Sequence, residues 1–136
     1  MKKVFILLVA MGLCSSLLAQ QPVTAAADST AKAKITFETL SHDFGTIDKG
    51  GDGNCVFNFK NEGAVALVLS QVRASCGCTT PMWPKEPIMP GQSGEIKVHY
   101  DTNRIGAFSK TITVNSNAEN STVVLRISGV VKQNAE

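Results

Sequence analysis

From Ile35 to Val131 apolar residues recur at every second position, run after run, and no stretch shows the three-to-four spacing of a helix. A period of two puts alternate side chains on opposite faces of an extended chain, so such runs fold as half-buried strands. In "CVFNFKN" Cys55, Phe57 and Phe59 face one way, and Val56, Asn58 and Lys60 the other. "GEIKVHY" sets Ile96, Val98 and Tyr100 inside against Lys97 and His99 outside. "KTITVNS" turns Ile112 and Val114 inward, and "STVVLRISGVV" does the same with Val123, Leu125 and Ile127, leaving Arg126 and Ser128 outside. "ITFETL" alternates too, and "HDFGTI" follows with Gly45 as a break. "ALVLSQVRAS" changes phase near Ser70, the mark of a bulge.

Turn signals separate the runs. "NEGAV" turns at Gly63, because glycine takes positive φ without steric cost. "DKGGDG" reads as a hairpin turn, and "TTPMWP", "PIMPGQSG" and "NRIGAFS" as loops. About seven short strands in about a hundred residues predict an antiparallel sandwich. No segment offers the crossover helix that parallel neighbours use. A domain of this size buries enough surface to fold alone. Residues 35–131 therefore predict one all-β, immunoglobulin-like antiparallel sandwich, with no internal repeat and no second domain.

The N-terminus is of another kind. "MKKVFILLVAMGLCSSLLAQ" runs from two lysines through an apolar stretch, Val4 to Leu18, to a small residue, Ala19. That order is a signal peptide's, and the apolar run is short of the roughly 20 residues a spanning helix needs. Residues 1–19 are expected to direct export through the Sec pathway, with cleavage after Ala19 and the Ala25–Ala27 cluster as the other candidate site. Cys14 follows Leu13 rather than the small residue that lipid attachment requires, so it leaves with the signal. Residues 20–34 hold one strongly apolar side chain, Val23, too little to offset the entropy of ordering, and predict a flexible tether. Within it Asp28, Ser29 and Thr30 resemble the O-glycan acceptor of the Bacteroidetes. Residues 132–136 are a short tail. The mature chain has no transmembrane helix, and its expected location is periplasmic or secreted.

Export changes the charge and the redox setting. Removing Lys2 and Lys3 from 13 basic side chains leaves 11, matching the 11 acidic ones. With net charge zero and no basic run, nucleic acid is excluded as the expected partner. Outside the cytosol thiols oxidise. The mature chain keeps Cys55, Cys76 and Cys78, an odd number that cannot all pair internally.

"HDFGTI", "FNFKNEG", "SCGCTTPMWPKEPIMPGQSGEIKVHYDT" and "KTITVNSNA…LRISGVV", in this order and spacing, resemble the bacterial domain-of-unknown-function family numbered fifteen seventy-three. The family is abundant in secreted proteins of Bacteroidetes and related phyla. The resemblance spans about Phe37 to Val131 and implies a sandwich of the Hydin and major-sperm-protein type, but no activity. Cys76-Gly77-Cys78 is the family feature. Cys55 departs from the pattern, so a bridge from Cys55 to the pair would be particular to this chain.

Three readings of the cysteines stand open. A bond between Cys76 and Cys78 closes a very small ring, possible if the backbone folds at Gly77, and strained bridges are the more easily reduced. That would make a thiol-redox site, for which Arg73 is the nearby cation in sequence. Two thiolates with the thioether of Met82, or of Met89, would suit copper(I). Zinc would need His99 and His42 as well, and His99 points outward. A structural role has the pair packing under Trp83 and pinning its loop. If Cys55 reaches Cys76 or Cys78, the bridge closes about twenty residues and adds roughly 3 kcal/mol by loop entropy.

Other groups carry less. No motif places a serine nucleophile on an elbow. Asp43 beside His42 reads as a turn whose carboxylate holds backbone. The Asn120 sequon reads as a loop. Met82 and Trp83 would form a surface patch or cover the end of the core. The expected function is therefore a non-enzymatic extracytoplasmic module with a protein-interaction or structural role in the cell envelope. It needs no cofactor, and its partner is another envelope protein. The alternative is a thiol-redox or copper(I)-binding protein.

Overall fold

The structure, a computed structural model, describes residues 30–135. The leader, Cys14, Asp28 and Ser29 lie outside that range. Eight strands follow in order: β1 Ile35–Phe37, β2 Ser41–Asp48, β3 Asn54–Asn61, β4 Leu69–Ala74, β5 Thr79–Met82, β6 Ser93–Tyr100, β7 Gly106–Ser116 and β8 Thr122–Lys132. They form two four-stranded sheets, β1-β3-β6-β5 and β2-β8-β7-β4. No described helix is long and apolar enough to cross a membrane.

The alternating residues meet between the sheets. Phe57, Phe59, Ile96 and Val98 come from one sheet, and Ile112, Val114, Leu125 and Ile127 from the other, all at most 1% exposed. Each such side chain contributes about 1.5–3 kcal/mol by leaving water. Val123 is only partly buried, because it lies near the open end of β8. Two close cross-strand approaches depend on glycine. Phe59 lies opposite Gly94, and Phe108 opposite Gly129. A Cβ on Gly94 would come within 2.5 Å of the Phe59 ring, and one on Gly129 within 2.9 Å of Phe108.

Four expectations need correction. "TTPM" is strand β5 rather than loop, which brings the strands among the described residues to eight, in keeping with about seven. β5 is an edge strand paired only to β6, and an edge tolerates the missing N–H of Pro81. One pair is parallel, β2 with β8. Five strands intervene in sequence, so the chain crosses the sandwich and needs no crossover helix. "DKGGDG" is not a hairpin turn, since β2 and β3 belong to opposite sheets. The tether also ends sooner than residue 34: Ala33 is fully buried, bridges Ala118, and its carbonyl accepts the Glu119 N–H at 2.9 Å. Ala33 is small enough to be covered there, which a pattern of strongly apolar residues does not register.

The bulges fall where the pattern breaks. Register shifts between Leu69 and Gln71, at Ser70, and between Asp43 and Thr46, where Gly45 has φ 64°. Asp43 accepts the Gly45 N–H at 2.9 Å, as a turn carboxylate should. Asn61, fully buried, ties "NEGAV" to distant chain. Its amide donates to the carbonyls of Val65 (2.8 Å) and Ile88 (2.9 Å), and its oxygen accepts from the N–H groups of Gly63 (2.9 Å) and Lys34 (3.3 Å). Asn120, read as a plain loop residue, brackets Ile35 by donating to its carbonyl and accepting from its N–H.

Candidate functional site

β4 ends in one sheet at Ala74 and β5 begins in the other at Thr79, so residues 75–78 must carry the chain round the rim of the sandwich. The turn is held at both ends by backbone. Ser75 N–H donates to Thr111 carbonyl at 2.9 Å, and Asp101 N–H to Cys78 carbonyl at 2.9 Å. Thr79 N–H closes the turn on Cys76 carbonyl at 3.4 Å.

Inside this turn Cys76 and Cys78 are bonded to each other, with Cα atoms 5.3 Å apart. That separation lies within the usual bridged range of about 4.4–6.8 Å. Cys78 is 6% exposed and belongs to the core, while Cys76 is half-buried against it. Gly77 between them is exposed, and a Cβ there would meet nothing within 4 Å. Two donors make three contacts with the sulfurs. The Cys78 N–H points to Cys76 Sγ at 3.2 Å, and the Thr79 hydroxyl, on a residue 4% exposed, lies 3.8 Å from both sulfurs.

Cys55 does not join them. It is free and buried on β3, with β6 standing between it and β5. Two strand spacings, about 9.6 Å, exceed the roughly 7 Å across which a disulfide can form. Burial pushes the Cys55 thiol up from 9.0 to about 11, so it stays protonated. The odd cysteine is the inward one on a central strand.

The copper set is also not assembled. Met82 is 66% exposed, three residues along β5 from Thr79 and on the other face by alternation. That is about 10 Å from the turn. Met89 is exposed in a loop. His42 is on β2, edge-on to Phe44, and His99 is on β6, bonded through Nδ1 to Asn54 at 2.9 Å, so the two histidines lie in opposite sheets. Among the described residues no group of three or more His, Cys, Asp or Glu is placed to hold a metal.

Trp83 does not cover the pair, since β5 separates them. It packs on the core at the far end, with Lys85 Nζ 3.0 Å above its ring and its buried Nε1 unpartnered among the described residues. With Met82, Pro84 and Ile88 it lines a surface groove of about 370 Å³.

Arg73, the cation nearest the pair in sequence, is turned away from it, and the strand register brings a different cation to the level of the turn. Arg73 lies opposite Thr113 and is exposed. Beyond the Ser75–Thr111 contact the next residue of β7 is Lys110, half-buried and in phase with Ile112, at the level of the turn. Lys110 lies 34 positions from Cys76, and only the β4–β7 register reveals it.

The comparisons match this geometry. A family model described as "Protein of unknown function (DUF1573)" covers residues 35–131. A protein of unknown function from Porphyromonas gingivalis W83 superposes with TM-score 0.68 at 16% identity, covering 79% of this chain and 51% of that one. This chain thus spans about half the length of that protein. The ASH / PapD-like domain of human CEP192 matches with TM-score 0.65 at 9% identity, over 76% of this chain and 89% of that one. The YadV chaperone matches with TM-score 0.51 at 14% identity, over 75% and 53%. At these identities the likeness is one of fold alone, an immunoglobulin-like β-sandwich shared with PapD-like domains. No curated protein matches the sequence.

Proposed function

This chain belongs to the DUF1573 family of proteins of unknown function, and from that premise we propose that it is a non-enzymatic binding module. In this reading it is exported and meets another envelope protein through a sheet edge. The observation that carries the reading is β2. It is eight residues long, the longest edge strand beside β1 (3), β4 (6) and β5 (4), and it pairs on one side only, with β8. An unpaired edge presents a row of N–H and C=O groups to which an extended segment adds as a further strand. The inward residues His42, Phe44 and Ile47 are only half-covered, and Leu40 just before the strand is 54% exposed. A strand laid along β2 would complete their burial. The bulge at Gly45 limits indiscriminate pairing, a common protection of natural edges.

The test is site-specific photocrosslinking in the native host's envelope. A photoreactive residue is placed at Ser41 or Asp48 on β2, and as a control at Thr111 on the centre of the same sheet. The proposal expects one reproducible protein adduct from the β2 positions and none from Thr111. Adducts equal at all three positions, or no adduct at β2, would overturn it.

A further inference from the structure

The two sulfurs of the rim turn have unequal surroundings. Cys78 is at the core margin, whereas Cys76 is half-buried beside exposed Ser75 and exposed Gly77, with open space over the glycine. One donor favours Cys76, the Cys78 N–H at 3.2 Å, while the Thr79 hydroxyl lies 3.8 Å from both sulfurs. A disulfide sulfur is a weak acceptor and gains little from such donors. A thiolate gains much, since bonds to an ionised acceptor are about twice as strong as neutral ones. Lys110 stands on β7 one residue beyond the Ser75–Thr111 contact, and a cation within reach of the turn is of the kind that favours a thiolate. The surroundings of Cys76 thus suit its reduced, ionised form better than its bonded one.

We infer that Cys76-Gly77-Cys78 is a thiol–disulfide exchange site, in which Cys76 forms the mixed disulfide, Cys78 resolves it, and the partner is a protein carrying a cysteine pair. In the reduced protein the Cys76 thiolate attacks one sulfur of the partner's disulfide. A Cys76–partner bond forms, the partner's own bond breaks, and its second sulfur leaves as a thiolate. Cys78, deprotonated, then attacks Cys76 Sγ, restores the Cys76–Cys78 bond and expels the remaining partner sulfur. The protons given up by Cys76 and Cys78 end on the partner's two sulfurs. Two electrons have passed from the pair to the partner, which is reduced while the pair is oxidised. With a partner dithiol the same steps run in reverse, entering again at Cys76. The resolving step is intramolecular between residues two apart, which gives it a high effective concentration. Thr79, whose hydroxyl lies 3.8 Å from each sulfur, is a positioning residue for the thiolates of the pair, Cys76 included. The site does not rest on the strand-edge reading.

The test begins with the purified protein reduced by excess dithiothreitol under native conditions, followed by timed alkylation and peptide mapping. Cys76 should be modified about tenfold faster than Cys78, because it is the more exposed sulfur and the one that receives the Cys78 N–H. Circular dichroism should stay unchanged and Cys55 should stay unmodified. Cys78→Ala should then trap oxidised glutathione as a mixed disulfide at Cys76, whereas Cys76→Ala should trap none at Cys78. Thr79→Val should slow alkylation of Cys76 at unchanged unfolding midpoint, with Thr79→Ser restoring it. A bond that resists reductant in the folded protein would overturn the proposal. So would alkylation of Cys78 at or above the rate of Cys76, or equal trapping by both variants.

Discussion

Breaking the Cys76–Cys78 bond opens a loop of only three residues, 76 to 78, in the unfolded chain. The entropy gained by the unfolded state is correspondingly small. The chain-entropy relation gives about 1.6 kcal/mol for three residues, against about 3 for a bridge closing twenty. The folded turn loses little else, because Ser75, Cys78 and Thr79 are tied by backbone bonds to Thr111, Asp101 and Cys76 that do not involve sulfur. Set against the roughly 5–15 kcal/mol of a typical native domain, the loss leaves the protein folded. The assay is urea unfolding of the protein with and without reductant, followed by tryptophan fluorescence and circular dichroism. Cys55 is a thiol in both states, so the comparison isolates one bond. The expected loss is about 1–2 kcal/mol with an unchanged slope. A loss above about 4 kcal/mol, or unfolding on reduction alone, would show that the bond is a structural staple and that the ring-size reasoning fails.

Two further predictions concern the core. Asn61→Ala removes four hydrogen bonds and leaves the backbone groups of Val65, Ile88, Gly63 and Lys34 short of partners. The Ile88 carbonyl keeps the Leu67 N–H, and the other three groups are part-buried. The cost of about 1–3 kcal/mol per fully buried unpaired group is therefore reached only in part, and urea unfolding should show a loss of about 3–5 kcal/mol, larger than that from reduction of the disulfide. Cys55 predicts a pH effect. Its folded pKa of about 11 lies above the ordinary 9.0, so the unfolded thiol releases its proton first. Stability is therefore full below pH 9 and falls as pH rises toward 11, by an amount on the order of 2 kcal/mol. The pH dependence of the unfolding free energy should lose this component in Cys55→Ala, and identical slopes in the two proteins across that window would refute it.

The inward faces of β3, β6, β7 and β8 were legible because each strand half-buries a row of apolar residues at period two. The bulges at Ser70 and Gly45 were legible as breaks in that period. β5 was not, since Pro81 and the turn formers around it read as loop, and an edge strand needs only one neighbour. The parallel β2–β8 pair was hidden because strand order is decided by contacts across 80 positions. The rim position of the cysteine pair could be read from its place between a strand and a turn. Which cysteines bond could not, because the distance from Cys55 to the pair depends on β6 lying between them. Lys110 and the partners of Asn61 were likewise set by register between distant segments. Closeness in sequence alone puts Met82 in the copper set, and the extended geometry of β5 carries it away.

Mass mapping of the cysteines in the native protein, alkylated before and after denaturation without reductant, tests the disposition of the three sulfurs most directly. A Cys76–Cys78 linkage with Cys55 modified only after denaturation is the expected result. A peptide joining Cys55 to either member of the pair would contradict the placement of that pair at the rim, apart from the thiol inside the sheets.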